Sequence, residues 1–266
     1  MNSSLRLRAR VLAREWLGGT FINLGSSLTA EIAARAGFEW LLLDYEHGPG
    51  GEETLLHQLQ AISGTGTAAI VRIAANETPR FKRVLDLGAD GVMVPYVNSE
   101  AEARAAVAAS RFPPLGVRGV SKFNRAAGFG QDFEQAYAHS HERLVVIAQI
   151  ETPEALANLD AIAAVDGIDV LFLGPLDLST NLGIPSQFEH PRFLAARAQV
   201  ADAARRNGKA AGILLANAEQ IPATRHEGYT VIALGSDGGA VVTGLRQNAA
   251  TLREHSSTDT ARRAAV

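Results

Sequence analysis

The stretch Val145-Val146-Ile147-Ala148-Gln149-Ile150-Glu151-Thr152-Pro153 decides the fold, and Val170-Leu171-Phe172-Leu173-Gly174-Pro175-Leu176-Asp177-Leu178-Ser179 repeats its design. Each begins with an apolar, β-branched run, the pattern of a parallel strand buried on both faces. Each then meets a helix-start signal. Thr152-Pro153, for instance, sets a capping hydroxyl before a proline at the first helical position. Each therefore puts one carboxylate, Glu151 or Asp177, where a strand hands over to a loop. A lone carboxylate there is commonly a helix cap or a solvated charge. Two at the ends of neighbouring parallel strands form a hard-oxygen site of the kind Mg²⁺ or Mn²⁺ uses, with water and substrate filling the other positions.

The same alternation extends in both directions. Strands are expected at Thr20–Leu24, Trp40–Leu43, Ala69–Ile73, Val92–Val97, Leu144–Ile150, Val170–Leu173, Ala210–Leu215 and Val231–Leu234. The matching helices are Leu28–Ala36, Glu52–Ile62, Thr78–Leu87, Glu100–Ser110, Pro153–Ala164, Pro191–Asn207, Ala218–His226 and Gly239–Arg253. Thr78-Pro79 repeats the cap-plus-proline signal, and Gly37, Gly88, Gly208 and Gly228 stand where a helix needs a left-handed residue past its end. Strand–helix alternation argues for a parallel sheet, and eight units argue for a closed (β/α)₈ barrel. The alternative is a doubly wound open sheet. No Gly-x-Gly-x-x-Gly follows the first strand, which counts against a dinucleotide fold. Residues 1–255 are expected to form one barrel domain and 256–266 a flexible tail. One segment breaks the rhythm. Phe112–Ser140 is too long for a plain connection, and it reads either as a cover over the site or as a packed surface excursion.

Composition excludes several functions. The chain has 266 residues, enough for a full core. Its net charge of -3 gives no general pull toward nucleic acid. It has no cysteine, hence no disulfide, thiolate metal site or Cys nucleophile. No apolar run is long enough to span a bilayer. Arg6, Arg8, Arg10 and Arg14 alternate with apolar residues at the N-terminus, without the apolar core and cleavage site of a secretion signal. That segment reads as a helix packed under the barrel, and the protein as cytoplasmic.

Catalytic groups of such barrels gather at the C-terminal ends of the strands. Those ends offer Asp44-Tyr45-Glu46-His47, Arg72, Gln149 and Glu151, Asp177, and Ser236-Asp237. Arg72 at the end of a buried strand needs an anionic partner from the protein or a substrate. Asp44 is placed to tie down its loop and Asp237 to cap the last helix. The only lysines are Lys82, Lys122 and Lys209. Lys82 falls mid-helix, Lys209 at a strand start, and only Lys122 in the long segment could reach a site. A Schiff-base lysine is therefore not expected, and carbonyl chemistry would need a metal as electron sink.

As a set, and in order from about Gly18 to Gly244, these segments resemble the HpcH/HpaI metal-dependent (class II) pyruvate aldolases. The segments are Leu42-Leu43-Asp44-Tyr45-Glu46-His47, Val71-Arg72, Leu85-Asp86-Leu87-Gly88-Ala89, Gly116-Val117-Arg118-Gly119, Gln149-Ile150-Glu151-Thr152, Gly174-Pro175-Leu176-Asp177-Leu178-Ser179 and Gly235-Ser236-Asp237. The resemblance implies a (β/α)₈ TIM barrel of the phosphoenolpyruvate/pyruvate type, and a divalent metal (Mg, Mn or Co) held by Glu151 and Asp177. It implies His47 as base, Arg72 as enolate stabiliser, and Asp86 as an acid that raises the basicity of the histidine from a neighbouring subunit. It implies substrate contacts from Gln149, Asp177 and the backbone at Leu176, and a homo-hexamer built as a trimer of dimers. The chain departs from the family pattern at Tyr45, Gly48-Pro49-Gly50, Ile73-Ala74-Ala75-Asn76 and Leu176.

The expected activity is reversible cleavage of a 4-hydroxy-2-oxo acid to pyruvate, or a close 2-oxo acid, and an aldehyde, within aromatic or sugar-acid catabolism. Its partners are small molecules, with no nucleic acid and no membrane. Two alternatives stand beside it. One is an acyl-CoA lyase or citrate-type condensing enzyme, although no basic cluster suits a CoA phosphate. The other is a non-catalytic keto-acid-binding protein.

Overall fold

The computed structural model describes the backbone of residues 3–263 and the side chains of 7–255. Eight parallel strands close into a barrel in chain order. They are β1 (Leu17–Ile22), β2 (Trp40–Asp44), β3 (Ala68–Arg72), β4 (Gly91–Val94), β5 (Val145–Ile150), β6 (Val170–Leu173), β7 (Ala210–Leu215) and β8 (Tyr229–Ser236). The helices are α1 (Ser3–Leu12), α2 (Ser27–Arg35), α3 (Glu52–Ile62), α4 (Thr78–Asp86), α5 (Glu100–Ser110), α6 (Phe133–Ala138), α7 (Ser140–Arg143), α8 (Pro153–Ala157), α9 (Leu159–Ala163), α10 (Pro175–Asn181), α11 (Pro191–Arg206), α12 (Ile221–His226) and α13 (Asp237–Arg263).

The strands are mostly apolar because they face two cores. Side chains alternate along a strand, so one parity points into the barrel and the other toward the helices. Trp40, Leu42, Ile70, Ile147 and Phe172 pack inside the barrel. Leu41, Leu43, Val71, Ala148 and Leu173 pack against the helix layer. Burying each such side chain contributes about 1.5–3 kcal/mol. Two glycines make room for the largest rings. A Cβ on Gly19 would lie 2.3 Å from the Trp40 indole, and one on Gly212 would lie 2.5 Å from the Phe172 ring. The inward parity continues to the strand ends, and this is what delivers Asp44, Arg72 and Gln149 to the interior of the mouth.

The N-terminal helix closes the other end of the barrel, as expected. Leu7 and Val11 of α1 join the inner core. Arg8 makes two hydrogen bonds, 3.1 and 2.9 Å, to buried Asp169 just before β6.

Several expected boundaries move. β1 starts at Leu17, and β4 stops at Val94 rather than Val97, which leaves Pro95, Tyr96 and Val97 in the loop at the mouth. The helix expected over 153–164 breaks at Asn158 into α8 and α9, and residues 218–220 form a 3₁₀ turn before α12. Thr152 caps α8 through a 3.0 Å bond from the Ala155 amide. Thr78 does not cap α4. Glu77 is the cap residue, without a side-chain bond, and Pro79 sits one place further in. Gly37, Gly88, Gly208 and Gly228 adopt φ of 97°, 96°, 67° and 102°, the left-handed stops the sequence required. α13 continues to Arg263, so the backbone of 256–263 is helical; 264–266 lie outside the described residues.

Of the two readings of the long segment, the structure supports the packed surface excursion and not the cover. The segment follows α5 and precedes β5, so it runs at the N-terminal end of the strands, away from this chain's own mouth. There it encloses a cavity of about 400 Å³ bordered by Thr67, Asp90, Arg118, Arg125 and Arg143. Lys122 lies in it over the Phe133 ring.

Candidate active site

The mouth is organised by one guanidinium and four carboxylates. Arg72, at the end of β3, donates from Nε to Asp44 Oδ1 (3.0 Å) and from Nη2 to Asp44 Oδ2 (2.7 Å). Its Nη1 stands 3.0 Å from Glu46 Oε2. The anionic partner that Arg72 needed is therefore supplied by the protein. Asp44 also ties down its loop, since Oδ1 accepts from the amides of Glu46 (3.1 Å) and His47 (3.3 Å). Burial pushes the Asp44 carboxyl up, but the bonds and charge of Arg72 outweigh it and hold the group below its ordinary value. Burial likewise raises the Glu46 carboxyl, and here the charge of Arg72 does not fully offset it.

Glu151 follows β5 and is 1% exposed. Oε1 accepts from the Tyr96 amide (2.8 Å), and Oε2 accepts from Gln149 Nε2. Burial pushes its carboxyl up to about 7, against the hydrogen bond from Tyr96, and the nearby Asp177 and Glu46 carboxylates add to the rise. Asp177, in the first turn of α10, is half-buried, and Oδ1 accepts from the Tyr96 hydroxyl (3.0 Å). Burial, with the Asp177 bond, pushes the Tyr96 phenol up to about 12, so it stays a donor. Among the described residues Gln149 Oε1 is buried without a hydrogen-bond partner, an acceptor left open beside the pair. Gly174 lets the β6–α10 turn close over this pair. A Cβ there would lie 2.4 Å from Glu151 Oε2 and 2.8 Å from Gln149 Nε2.

The structure thus brings together Arg72, Gln149, Glu151 and Asp177. His47 stands at the rim with its side chain 63% exposed and Nε2 3.7 Å from Glu46 Oε2. Leu176 is exposed on α10, and its carbonyl accepts from Ser179 and Thr180. Its amide falls in the first helical turn, where N–H groups lack helical acceptors. Asp86 is not part of this mouth. It ends α4 on the far side of the barrel, where Oδ1 accepts from Arg118 Nη2 at 2.6 Å, and within the chain it does not meet His47. Asp237 bonds the amides of Asn23 and Gly238 and the Thr29 hydroxyl, so it ties the start of α13 to the loop after β1, whereas the capping bond expected of it is made by Ser236, whose Oγ accepts from the Gly239 amide at 3.1 Å.

Two residues here escaped the sequence reading. Glu46 was in view but had no role. Tyr96 was missed because the strand was read through Val97. The signal available was Pro95, which tends to end a central strand and so returns the next residue to the mouth.

The three lysines lie elsewhere. Lys209 donates to the Val165 carbonyl, at the N-terminal end of the strands. Lys122 is in the excursion, and Lys82 is on α4 near Gly119. Among the described residues no three His, Cys, Asp or Glu side chains form a complete protein cage for a metal. The mouth offers two carboxylates free of arginine pairing, all-oxygen donors held in excess of positive charge. A hard divalent cation fits that set, with water and substrate completing its shell.

A closed barrel with acid, amide and guanidinium groups converging on the strand ends is the architecture of an enzyme working at that face. The family profile described as HpcH/HpaI aldolase/citrate lyase matches residues 18–243, and the chain belongs to this family. A pyruvate aldolase of Rhizobium etli is 46% identical over 196 residues, covering 74% of this chain and 77% of that protein. A 5-keto-4-deoxy-D-glucarate aldolase of Salmonella paratyphi C is 36% identical over 257 residues, covering 96% and 100%. The crystal structure of an HpcH/HpaI aldolase/citrate lyase family protein from Burkholderia cenocepacia superposes with a TM-score of 0.89 at 34% identity, covering 93% of this chain and 99% of that one.

Proposed function

We propose that this chain is a divalent-metal-dependent aldolase that reversibly cleaves a 4-hydroxy-2-oxo acid to pyruvate, or a close 2-oxo acid, and an aldehyde. The observation that carries the reading is the Glu151–Asp177 pair beside Arg72 in a mouth that no lysine reaches. Glu151 and Asp177 would hold Mg²⁺, Mn²⁺ or Co²⁺. When bound, the cation supplies a Lewis acid that draws off charge from the 2-oxo acid.

The residues divide the remaining work. Arg72, locked by Asp44, keeps N–H groups aimed at the keto oxygen where negative charge develops; removing such a donor typically costs about 10²–10³ in rate. Gln149 offers its unpaired Oε1 inside the pocket. The Leu176 amide and Asp177 line the substrate's carboxylate side. His47, exposed toward solvent, takes the proton of the C4 hydroxyl during cleavage, directly or through one water. Leu176, where the family pattern is broken, is exposed on the side where the aldehyde half would lie; Tyr45, the other departure, turns away from the mouth, packs against the helix layer and donates to Gln58 Oε1 at 2.7 Å. Asp86 would support the His47 of a second copy. A homo-hexamer suits the surface. α13 meets β1, β8 and α2, and Val241, Val242, Leu245 and Leu252 are exposed along it. Apolar rows of this kind mark a contact. Among the described residues no helix is long and apolar enough to cross a membrane, and a cytoplasmic location fits the reading.

The test is an aldol screen. Chelated protein is supplied with Mg²⁺, Mn²⁺ or Co²⁺ in turn, then with pyruvate and a panel of aldehydes, including hydroxylated and semialdehyde members. Activity that requires added metal supports the reading. Full activity without metal, or borohydride trapping of pyruvate on a lysine, overturns it. Turnover only with acyl-CoA substrates, or binding of 2-oxo acids without turnover, transfers it to one of the alternatives.

A further inference from the structure

Tyr96 touches both carboxylates of the pair, through different groups. Its amide donates to Glu151 Oε1 at 2.8 Å and its hydroxyl to Asp177 Oδ1 at 3.0 Å. The hydroxyl bond is the only hydrogen bond or ion pair to the Asp177 carboxylate among the described residues. To make both contacts the backbone adopts φ of 51°, the left-handed region. That conformation costs a residue with a Cβ roughly 1–2 kcal/mol, and glycine, asparagine and aspartate are the residues that visit it readily. Strain held by a bulky residue beside a site points to a use for that residue. The next residue is anchored, since the Val97 amide donates to the Gln149 carbonyl at 3.3 Å, so the turn is fixed to β5.

We propose that Tyr96 is a positioning residue that sets the spacing of Glu151 and Asp177 and thereby favours small octahedral cations over Ca²⁺. This rests on the metal-dependent reading above. One oxygen of Asp177 is taken by the phenol, which leaves Oδ2 to bind in monodentate fashion. Mg²⁺ and Mn²⁺ accept such ligands in a tight octahedron. Ca²⁺ takes six to eight oxygens at longer distance and often grips a carboxylate with both oxygens. A tethered Asp177 resists that second mode, and a released Asp177 can rotate into it.

The test uses the full-length, chelated protein and calorimetric titration with MnCl₂ and with CaCl₂, so no turnover is needed. Tyr96→Phe keeps the ring and removes the donor. Tyr96→Gly suits the left-handed backbone and also lacks the hydroxyl, so it guards against a folding artefact. Loss of a supporting hydrogen bond to a ligand typically weakens metal affinity about 10–100-fold. Mn²⁺ affinity should fall by this amount in both variants and Ca²⁺ affinity by less, so that the Mn²⁺/Ca²⁺ preference drops at least about fivefold. A smaller drop in either variant overturns the positioning role while the metal site stands. Wild-type protein that takes up neither cation overturns the metal reading and this role with it.

Discussion

Asp44 and Arg72 are register partners on neighbouring strands, and their side chains close a two-bonded ion pair inside the barrel mouth. The pairing follows from the strand pattern itself. Both residues end their strands on the inward parity, so they face each other across one inter-strand gap. The guanidinium is then held in one orientation, with its Nη1 also 3.0 Å from Glu46 Oε2. Both side chains are nearly dry, at 3% and 9% exposed, so the pair is worth little as net stability but costs much to break.

Asp44→Asn should therefore destabilise the fold by about 3 kcal/mol, because a buried guanidinium loses its main counter-charge. Glu46 remains nearby and limits the loss. Urea denaturation of chelated protein measures this. A change under about 1 kcal/mol would mean that Glu46 alone neutralises Arg72.

Arg72→Lys should fold and still lose both aldol cleavage and proton exchange at pyruvate C3 by about 10²-fold or more, since lysine cannot reproduce the forked geometry. His47→Ala should lower cleavage far more than exchange, because the histidine serves the C4 hydroxyl and exchange does not involve it. Deuterium incorporation into pyruvate, followed beside pyruvate release, separates the two. Equal loss of both in the His47 variant contradicts this division of labour.

Glu151 gives a pH dependence with a definite sign. Its folded carboxyl titrates at about 7, above the ordinary value of 4.5. Between those values the folded chelated protein holds a proton that the unfolded chain releases, so stability falls as pH rises across the window. The full effect is on the order of 3 kcal/mol. It is present below the lower value and lost above the upper one. Saturating Mn²⁺ should reverse the trend, since the cation needs the deprotonated carboxylate. Denaturation of chelated wild type and Glu151→Gln at several pH values checks this. An identical pH slope in the two proteins removes Glu151 as the cause.

What the sequence made legible was whatever strand parity and punctuation control. Glu151, Asp177, Arg72 and Gln149 converge because they stand at strand ends, and strand ends are readable from β-branched runs and stop signals. Gly37 and Gly228 marked helix ends for the same local reason. Tyr96 was not legible. Its role depends on a left-handed turn after β4 and on a hydroxyl reaching α10, 81 residues further on, and no local pattern encodes that distance. The 112–140 segment stays open in the sequence between a cover and a packed surface excursion, because its length is more conspicuous than its position between a helix and a strand. Thr78 resembled a cap because a threonine before a proline usually is one, yet here the chain starts its helix one residue earlier.

Asp86 is the remaining test, because in the single chain it is committed to Arg118 at 2.6 Å and stands away from His47. Burial lowers the Arg118 pKa, against the pull of Asp86. If a second copy brings its His47 to this face, the oligomer is obligate and its sites are shared. Sedimentation should then show no active monomer. His47→Ala and Asp86→Asn proteins, each inactive alone, should recover activity when mixed and allowed to exchange subunits, because some interfaces then pair an intact His47 with an intact Asp86. With random exchange about a quarter of such pairings are intact, which sets the ceiling on recovery. Asp86→Asn that retains full activity, or exchange shown by mass labelling without any recovery, leaves Asp86 as the partner of Arg118 and nothing more.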